Sequence, residues 1–133
     1  MADVVIDINA VIWHFGDPAQ LSAPAAAALA RAEAGGTVYV SAITLVELIY
    51  LTEKGRIPPD VPVLLRDSVD DTTTAFLLIE MNREISDAVE NVSRAIVSDM
   101  PDRIIAATAL HLDLPLITKD RKIRALPNVQ TIW

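Results

Sequence analysis

Short apolar runs rich in Val and Ile alternate along this chain with longer stretches of helical periodicity. The short runs lie at 3–8, 37–40, 75–79, 115–118 and 129–133, and they have the length and composition of strands buried on both faces. Residues 22–34 are Ala-rich and stop at Gly35-Gly36. Residues 42–54 begin after Ser41, a good N-cap, and close near Gly55. Further helices are predicted at 60–69, 102–112 and 120–125, and at 83–97, where Ile85, Val89, Val92 and Ile96 recur at spacings of three and four.

Strand and helix in alternation predict an α/β fold: a central parallel sheet of about five strands in a three-layer α/β/α arrangement. No internal repeat, low-complexity tail or linker interrupts it, and the Pro58-Pro59 and Pro62 cluster fits a turn opening a helix. One domain over 1–133 is expected, because a chain of 133 residues can bury roughly two-thirds of its unfolded surface.

Composition narrows the function. Hydrophobic residues make up 52% of the chain and mean hydropathy is +0.36, yet no apolar run approaches the roughly 20 residues of a membrane span. No membrane association and no secretory leader are expected. The absence of Cys excludes disulfides and thiolate chemistry and fits a cytoplasmic protein. A net charge of −7, from 11 Lys and Arg against 18 Asp and Glu, argues against a binder that grips nucleic acid through many phosphate contacts. Lys119, Arg121, Lys122 and Arg124 are a local exception beside Asp120, readable also as a solvated helix start. High apolar content in a small chain also predicts an exposed patch for self-association.

Candidate chemistry lies in four carboxylates. Asp7 ends the first strand, at the carboxyl edge where open parallel sheets bind ligands; capping of the next helix is its alternative role. Glu47 is the one charge in Ala42–Leu51, a segment apolar nearly all round, and it has no basic neighbour three or four residues away. This helix is expected to be buried; the alternative is that Glu47 reaches solvent on a narrow polar edge with Thr44 and Tyr50. Asp99 suits an N-cap and Asp102 leans to the same side as Ile105, Ala106 and Ala109. Asp120 follows Leu116-Ile117-Thr118 at another strand end and could also cap a helix. Two ionised carboxylates about 4 Å apart repel by ~4 kcal/mol even at an effective dielectric near 20, so such a cluster calls for a cation or shared protons. All-oxygen ligation suits Mg²⁺ or Mn²⁺, which can activate water for phosphodiester hydrolysis. His14 and His111 are read as structural, Trp13 as core, and Trp133 as the finish of the last strand. No Walker or dinucleotide Gly-rich loop and no nucleophile elbow is present.

Val5-Ile6-Asp7-Ile8-Asn9, Val40-Ser41-Ala42-Ile43 leading to Glu47, Asp102-Arg103-Ile104-Ile105-Ala106-Ala107-Thr108-Ala109, and Leu116-Ile117-Thr118-Lys119-Asp120 together resemble the PIN-domain ribonucleases, specifically VapC-type toxins of toxin–antitoxin pairs. The resemblance covers essentially the whole chain. It implies that Asp7 and Asp102 bind the metal most directly, with Glu47 and Asp120 completing the site partly through water. Asn9, Ser41, Thr118 and Arg103 match supporting polar positions. It further implies an Mg²⁺- or Mn²⁺-dependent endoribonuclease acting on RNA such as transfer RNA, a homodimer, and an antitoxin that silences it. Two departures stand out: Ile8 replaces the usual Thr or Ser, and Asp99-Met100 replaces Asp-Pro.

Two rival functions remain. A non-catalytic PIN-like interaction domain would keep the acids for partner binding. A phosphatase or receiver-like domain would use an acidic pocket, but a haloacid-dehalogenase-like enzyme wants a second Asp where Asn9 stands.

Overall fold

The computed structural model describes residues 2–133. Five strands, β1 (Val4–Ile6), β2 (Val38–Ser41), β3 (Phe76–Ile79), β4 (Leu116–Ile117) and β5 (Thr131–Ile132), form one all-parallel sheet in the order β3-β2-β1-β4-β5. All five predicted strands form, four of them trimmed at their ends and β2 shifted by one residue to take in Ser41. Seven α-helices connect them: α1 (Ile8–Gly16), α2 (Ala23–Gly35), α3 (Ala42–Glu53), α4 (Asp60–Asp70), α5 (Arg83–Ala88), α6 (Met100–Leu112) and α7 (Arg121–Arg124).

The sheet centre is covered on both faces. Successive side chains of a strand point to opposite sides, and Val4, Val5 and Ile6 are all buried. Register sets β1 at the middle, with Val5 opposite Tyr39 of β2 and Leu116 of β4. In α2, Ala25, Ala28, Leu29 and Ala32 form the buried stripe, and this helix packs on β1, β2 and β5. Small side chains there let the helix approach the sheet closely. On α6 every residue from Ile104 to Ala109 is buried, and it packs on β1, β2, α3 and α5.

Three expectations need correction. The helix predicted at 83–97 ends at Ala88, continues as a 3₁₀ turn over Val89–Asn91, and leaves Val92 extended. The periodic stripe still marks burial, since Ile85 and Val92 are 1% exposed. Arg103 from α6 makes the break tenable by donating through one guanidinium nitrogen to the carbonyls of Val89 and Val92, at 3.0 and 3.1 Å; the Val89 carbonyl also accepts from the Val92 N–H, and the Val92 carbonyl has Arg103 in place of a helical partner. Helix α3 is not buried all round: Val46, Ile49 and Tyr50 are 57%, 42% and 48% exposed. Val63 and Leu64 of the adjoining α4 are also exposed. Trp13 is half-buried and stands outside the hydrophobic core, whereas Trp133 packs against it.

Candidate metal centre

Strand order reverses between β1 and β4, since the chain passes from β1 outward to β2 and β3 and returns to β4 on the other side. At such a switch point the flanking loops part and leave a crevice at the carboxyl ends of the strands. Asp7 follows β1 and Thr118 follows β4 into this crevice.

Asp7 is buried, at 4% exposure. Its Oδ1 accepts from the Ile8 N–H at 2.7 Å, which makes it the N-cap of α1. Its Oδ2 accepts from the Thr118 hydroxyl at 2.6 Å. Capping and burial therefore coexist in one carboxylate. Burial pushes the Asp7 carboxyl above its ordinary value, the bonds from Thr118 and Ile8 oppose this, and the charges of Asp120 and Asp99 add to the rise.

Asp102 lies in the first turn of α6, half-buried, where its backbone N–H donates to the Asp99 side chain at 3.2 Å. Partial burial, then repulsion from Asp7, Asp99 and Asp120, then a hydrogen bond to the Asp99 carboxylate that needs the Asp102 proton, push its carboxyl up to about 7. Asp120 caps α7, with Oδ1 accepting from the N–H groups of Lys122 and Ile123 at 2.8 and 3.1 Å. Its own N–H donates to the Thr118 hydroxyl at 3.0 Å. Thr118, fully buried, thus links the first and fourth acids directly.

Asp99, Asp102, Asp120, Arg121 and Lys122 line an open cavity of about 320 Å³. Sequence reasoning gave Asp99 to capping, which it performs, but missed its place in the charged cluster. The signal lay in the Asp-x-x-Asp spacing at a helix start, which aims both side chains over the first turn. Glu47 does not act on Asp7 or Asp102 as the other acids do. It is half-buried on α3, one turn beyond the fully buried Thr44. Ser41 is buried and caps α3 through the Ile43 N–H at 3.3 Å; Asn9 is exposed on the first turn of α1. Arg103, expected among the supporting polar positions, is turned to the Val89 and Val92 carbonyls.

The donor set tests the fit to a hard cation. It is all oxygen, and the ion pairs among the described residues, His14 with Glu33 and Arg83 with Asp87, involve none of these acids. Lys and Arg do not neutralise the cluster. Among the described residues no three His, Cys, Asp or Glu side chains already stand close enough to enclose one ion. Asp7 and Asp120 are held by their caps, so closure around an ion requires carboxylate rotation, chiefly of Asp102. Mutual repulsion disfavours that rotation until positive charge offsets it.

Comparison with known proteins gives a consistent family. The PIN domain model matches residues 4–129. The chain is similar over its whole length to Ribonuclease VapC22 of Mycobacterium tuberculosis, with 29% identity and full coverage of both chains. Among solved structures it resembles VapBC2 from Rickettsia felis, bound to a promoter DNA fragment, with a TM-score of 0.73, 16% identity and coverage of 97% of this chain and 96% of that one. DNA-bound VapBC from Salmonella typhimurium gives a TM-score of 0.72, 18% identity and coverage of 98% and 97%. At these identities the structures establish a shared fold.

Proposed function

The chain belongs to the PIN-domain family, and on that premise we propose that it is a metal-dependent endoribonuclease, the toxin of a VapBC-type toxin–antitoxin pair. One observation carries the reading: Asp7 and Asp102, on different elements, are both pushed up by burial and by the charges of Asp99 and Asp120, Asp102 also by that of Asp7, with no cationic side chain paired to either. Such a pair is costly to a fold unless it binds something positive. The relative named as a ribonuclease, matched end to end, supports RNA as the substrate.

Asp7 and Asp102 would hold Mg²⁺ or Mn²⁺, with Asp120 and Glu47 completing the site. Bound there, the ion would lower the pKa of a water and offset charge developing on the scissile phosphate. Thr118 fixes the Asp7 oxygen that faces β4 and the start of the α7 turn. Asp102, free to accept or release a proton near neutrality, is the group whose ionisation opens the site to a cation. Arg121 and Lys122 line the same cavity as Asp102 and supply the positive charge that a phosphodiester strand needs beside an acidic centre. Ile8, where relatives of this type carry a hydroxyl, leaves Thr118 as the hydroxyl on Asp7.

Its partners are RNA, an antitoxin protein and a second copy of the chain. A solved structure of this fold, from Klebsiella pneumoniae, is a toxin–antitoxin complex. The exposed Val46, Ile49 and Tyr50 on the helix that bears Glu47 offer an apolar protein-binding surface beside the site. No described helix is long and apolar enough to cross a membrane.

The test is direct. Purified chain freed of any partner should cleave RNA with Mg²⁺ or Mn²⁺, stop with EDTA and lose activity in Asp7→Asn. Cleavage that persists undiminished in Asp7→Asn refutes the site. Retained partner binding without cleavage by the wild type points to an interaction domain, and a phosphorylated Asp7 to a phosphatase.

A further inference from the structure

A second open cavity, of about 410 Å³, lies along α1 away from the carboxylates; Trp13, Ile12, Ile57, Arg56, Gln20 and Asp17 take part in its lining. Its volume falls within the range of sites that take small organic groups. Trp13 is the large aromatic on its wall. This side chain is half-buried and belongs to no core cluster, so the hydrophobic core does not account for an indole at this place. Trp133 lies 5.6 Å away between ring centroids at a tilt of 50° and, being packed on the core, holds Trp13 upright.

The link to the metal centre is Lys119. Its Nζ stands 5.6 Å from the centre of the Trp13 ring, and it sits in the chain between Thr118, bonded to Asp7, and Asp120. Six residues separate Asp7, the N-cap of α1, from Trp13, a rise of about 9 Å along the helix, which is within reach of an RNA strand held at the carboxylates. Arg56, also part of the cavity's lining, is exposed and has no ion-pair partner among the described residues. Asp17, the acid of this lining, is occupied by the Gln20 amide at 3.0 Å. In a chain of net charge −7, the Trp13 indole thus has the Lys119 ammonium over its ring and shares a cavity wall with Arg56.

We infer that this cavity takes one unpaired nucleobase of the RNA strand, stacked on Trp13, with Lys119 and Arg56 on the flanking phosphates. The inference rests on the ribonuclease reading above and extends it to specificity. Stacking tolerates any base but demands an unpaired one, so the subsite selects cleavage in loops and single strands. Trp13 contacts substrate; Trp133 is a positioning residue.

Trp133→Phe leaves Trp13 as the sole tryptophan. In an Asp7→Asn background, titration with a short single-stranded RNA should quench its emission saturably, and an abasic nucleotide at one position near the cut should abolish the quench. With the wild-type protein, the same abasic RNA should be cut with a KM raised about tenfold and kcat little changed. Trp13→Ala should lose this discrimination and Trp13→Phe keep most of it. Emission unmoved by RNA that anisotropy shows to be bound, or an abasic series cut uniformly, overturns the inference; the wild-type series decides even if Trp13→Ala fails to fold. Metal-dependent, Asp7-dependent cleavage with a flat abasic series removes the stacking subsite alone, whereas absence of any RNA cleavage removes the ribonuclease reading and this inference together.

Discussion

The Thr118 hydroxyl donates to Oδ2 of Asp7 at 2.6 Å, across 111 residues of chain. It also accepts from the Asp120 N–H at 3.0 Å, so one buried side chain fixes the relative positions of the first and fourth carboxylates. The parallel pairing of Ile6 with Ile117 brings this about, because it leaves Asp7 and Thr118 side by side one residue further on.

Thr118→Val keeps the shape and removes the hydroxyl. Asp7 then loses a bond that opposes its desolvation, and the Asp120 N–H loses its acceptor. Oriented partners of this kind are worth about 10–100-fold in metal affinity. Titrating cleavage activity with Mg²⁺ should move the half-maximal concentration upward by that factor, and an unmoved midpoint would assign Thr118 to packing alone.

The four acids should differ in what their loss does. Asp7→Asn and Asp102→Asn should each abolish cleavage while leaving the fold intact. Asp120→Ala should also destabilise by about 1 kcal/mol through loss of the α7 cap, an effect that Asp120→Asn largely avoids. Glu47→Gln, standing outside the charged group that acts on Asp7 and Asp102, should cost less activity than Asp7→Asn. Single-turnover rates and thermal unfolding on the same preparations separate these outcomes.

Asp102 gives stability a pH dependence of definite sign. Its carboxyl is raised in the fold to about 7 from 3.8, so the folded protein retains a proton that the unfolded chain releases. The associated stabilisation is complete below pH 3.8 and is lost as pH rises to about 7. In EDTA, Asp102→Asn should therefore raise the Tm at pH 8 and leave it nearly unchanged at pH 4. An equal Tm difference at both pH values would contradict this ionisation.

A divalent cation should reverse that loss. Metal binding requires the ionised carboxylates, so Mn²⁺ should stabilise the protein at pH 8 by about 2.7 kcal/mol at a hundredfold excess over Kd, and much less at pH 5. Calorimetry at the two pH values, with Asp7→Asn as control, reads this directly.

Arg103 should matter to folding rather than to metal binding. Arg103→Met removes the donor to the Val89 and Val92 carbonyls, with an expected cost of about 1.5–3 kcal/mol for losing charged hydrogen bonds to partly buried acceptors. Urea unfolding should report this, while the Mg²⁺ midpoint of the remaining folded enzyme stays close to wild type.

Sequence alone determined the five strands, the α/β class and the PIN-domain resemblance, which the family match over residues 4–129 bears out. These were legible because buried parallel strands need unbroken Val and Ile runs, and because helix caps such as Ser41, Asp99 and Asp120 act on N–H groups only two or three residues away. Periodicity located the burial of Ile85 and Val92 but not the break between them, since the acceptors it frees are satisfied by Arg103, more than ten residues further on.

Tertiary structure decided what depends on neighbours distant in the chain. The apolar α3 could be read as buried, yet only the arrangement of helices around it determines that Val46, Ile49 and Tyr50 face outward. Trp13 has the composition of a core residue and the position of a rim residue. Above all, a carboxylate's ordinary value is a property of the residue, whereas its shift comes from the charges and donors around it. Asp7 and Asp102 stand 95 positions apart in the sequence, and the packing of α6 on β1 brings Asp102 into the field of Asp7.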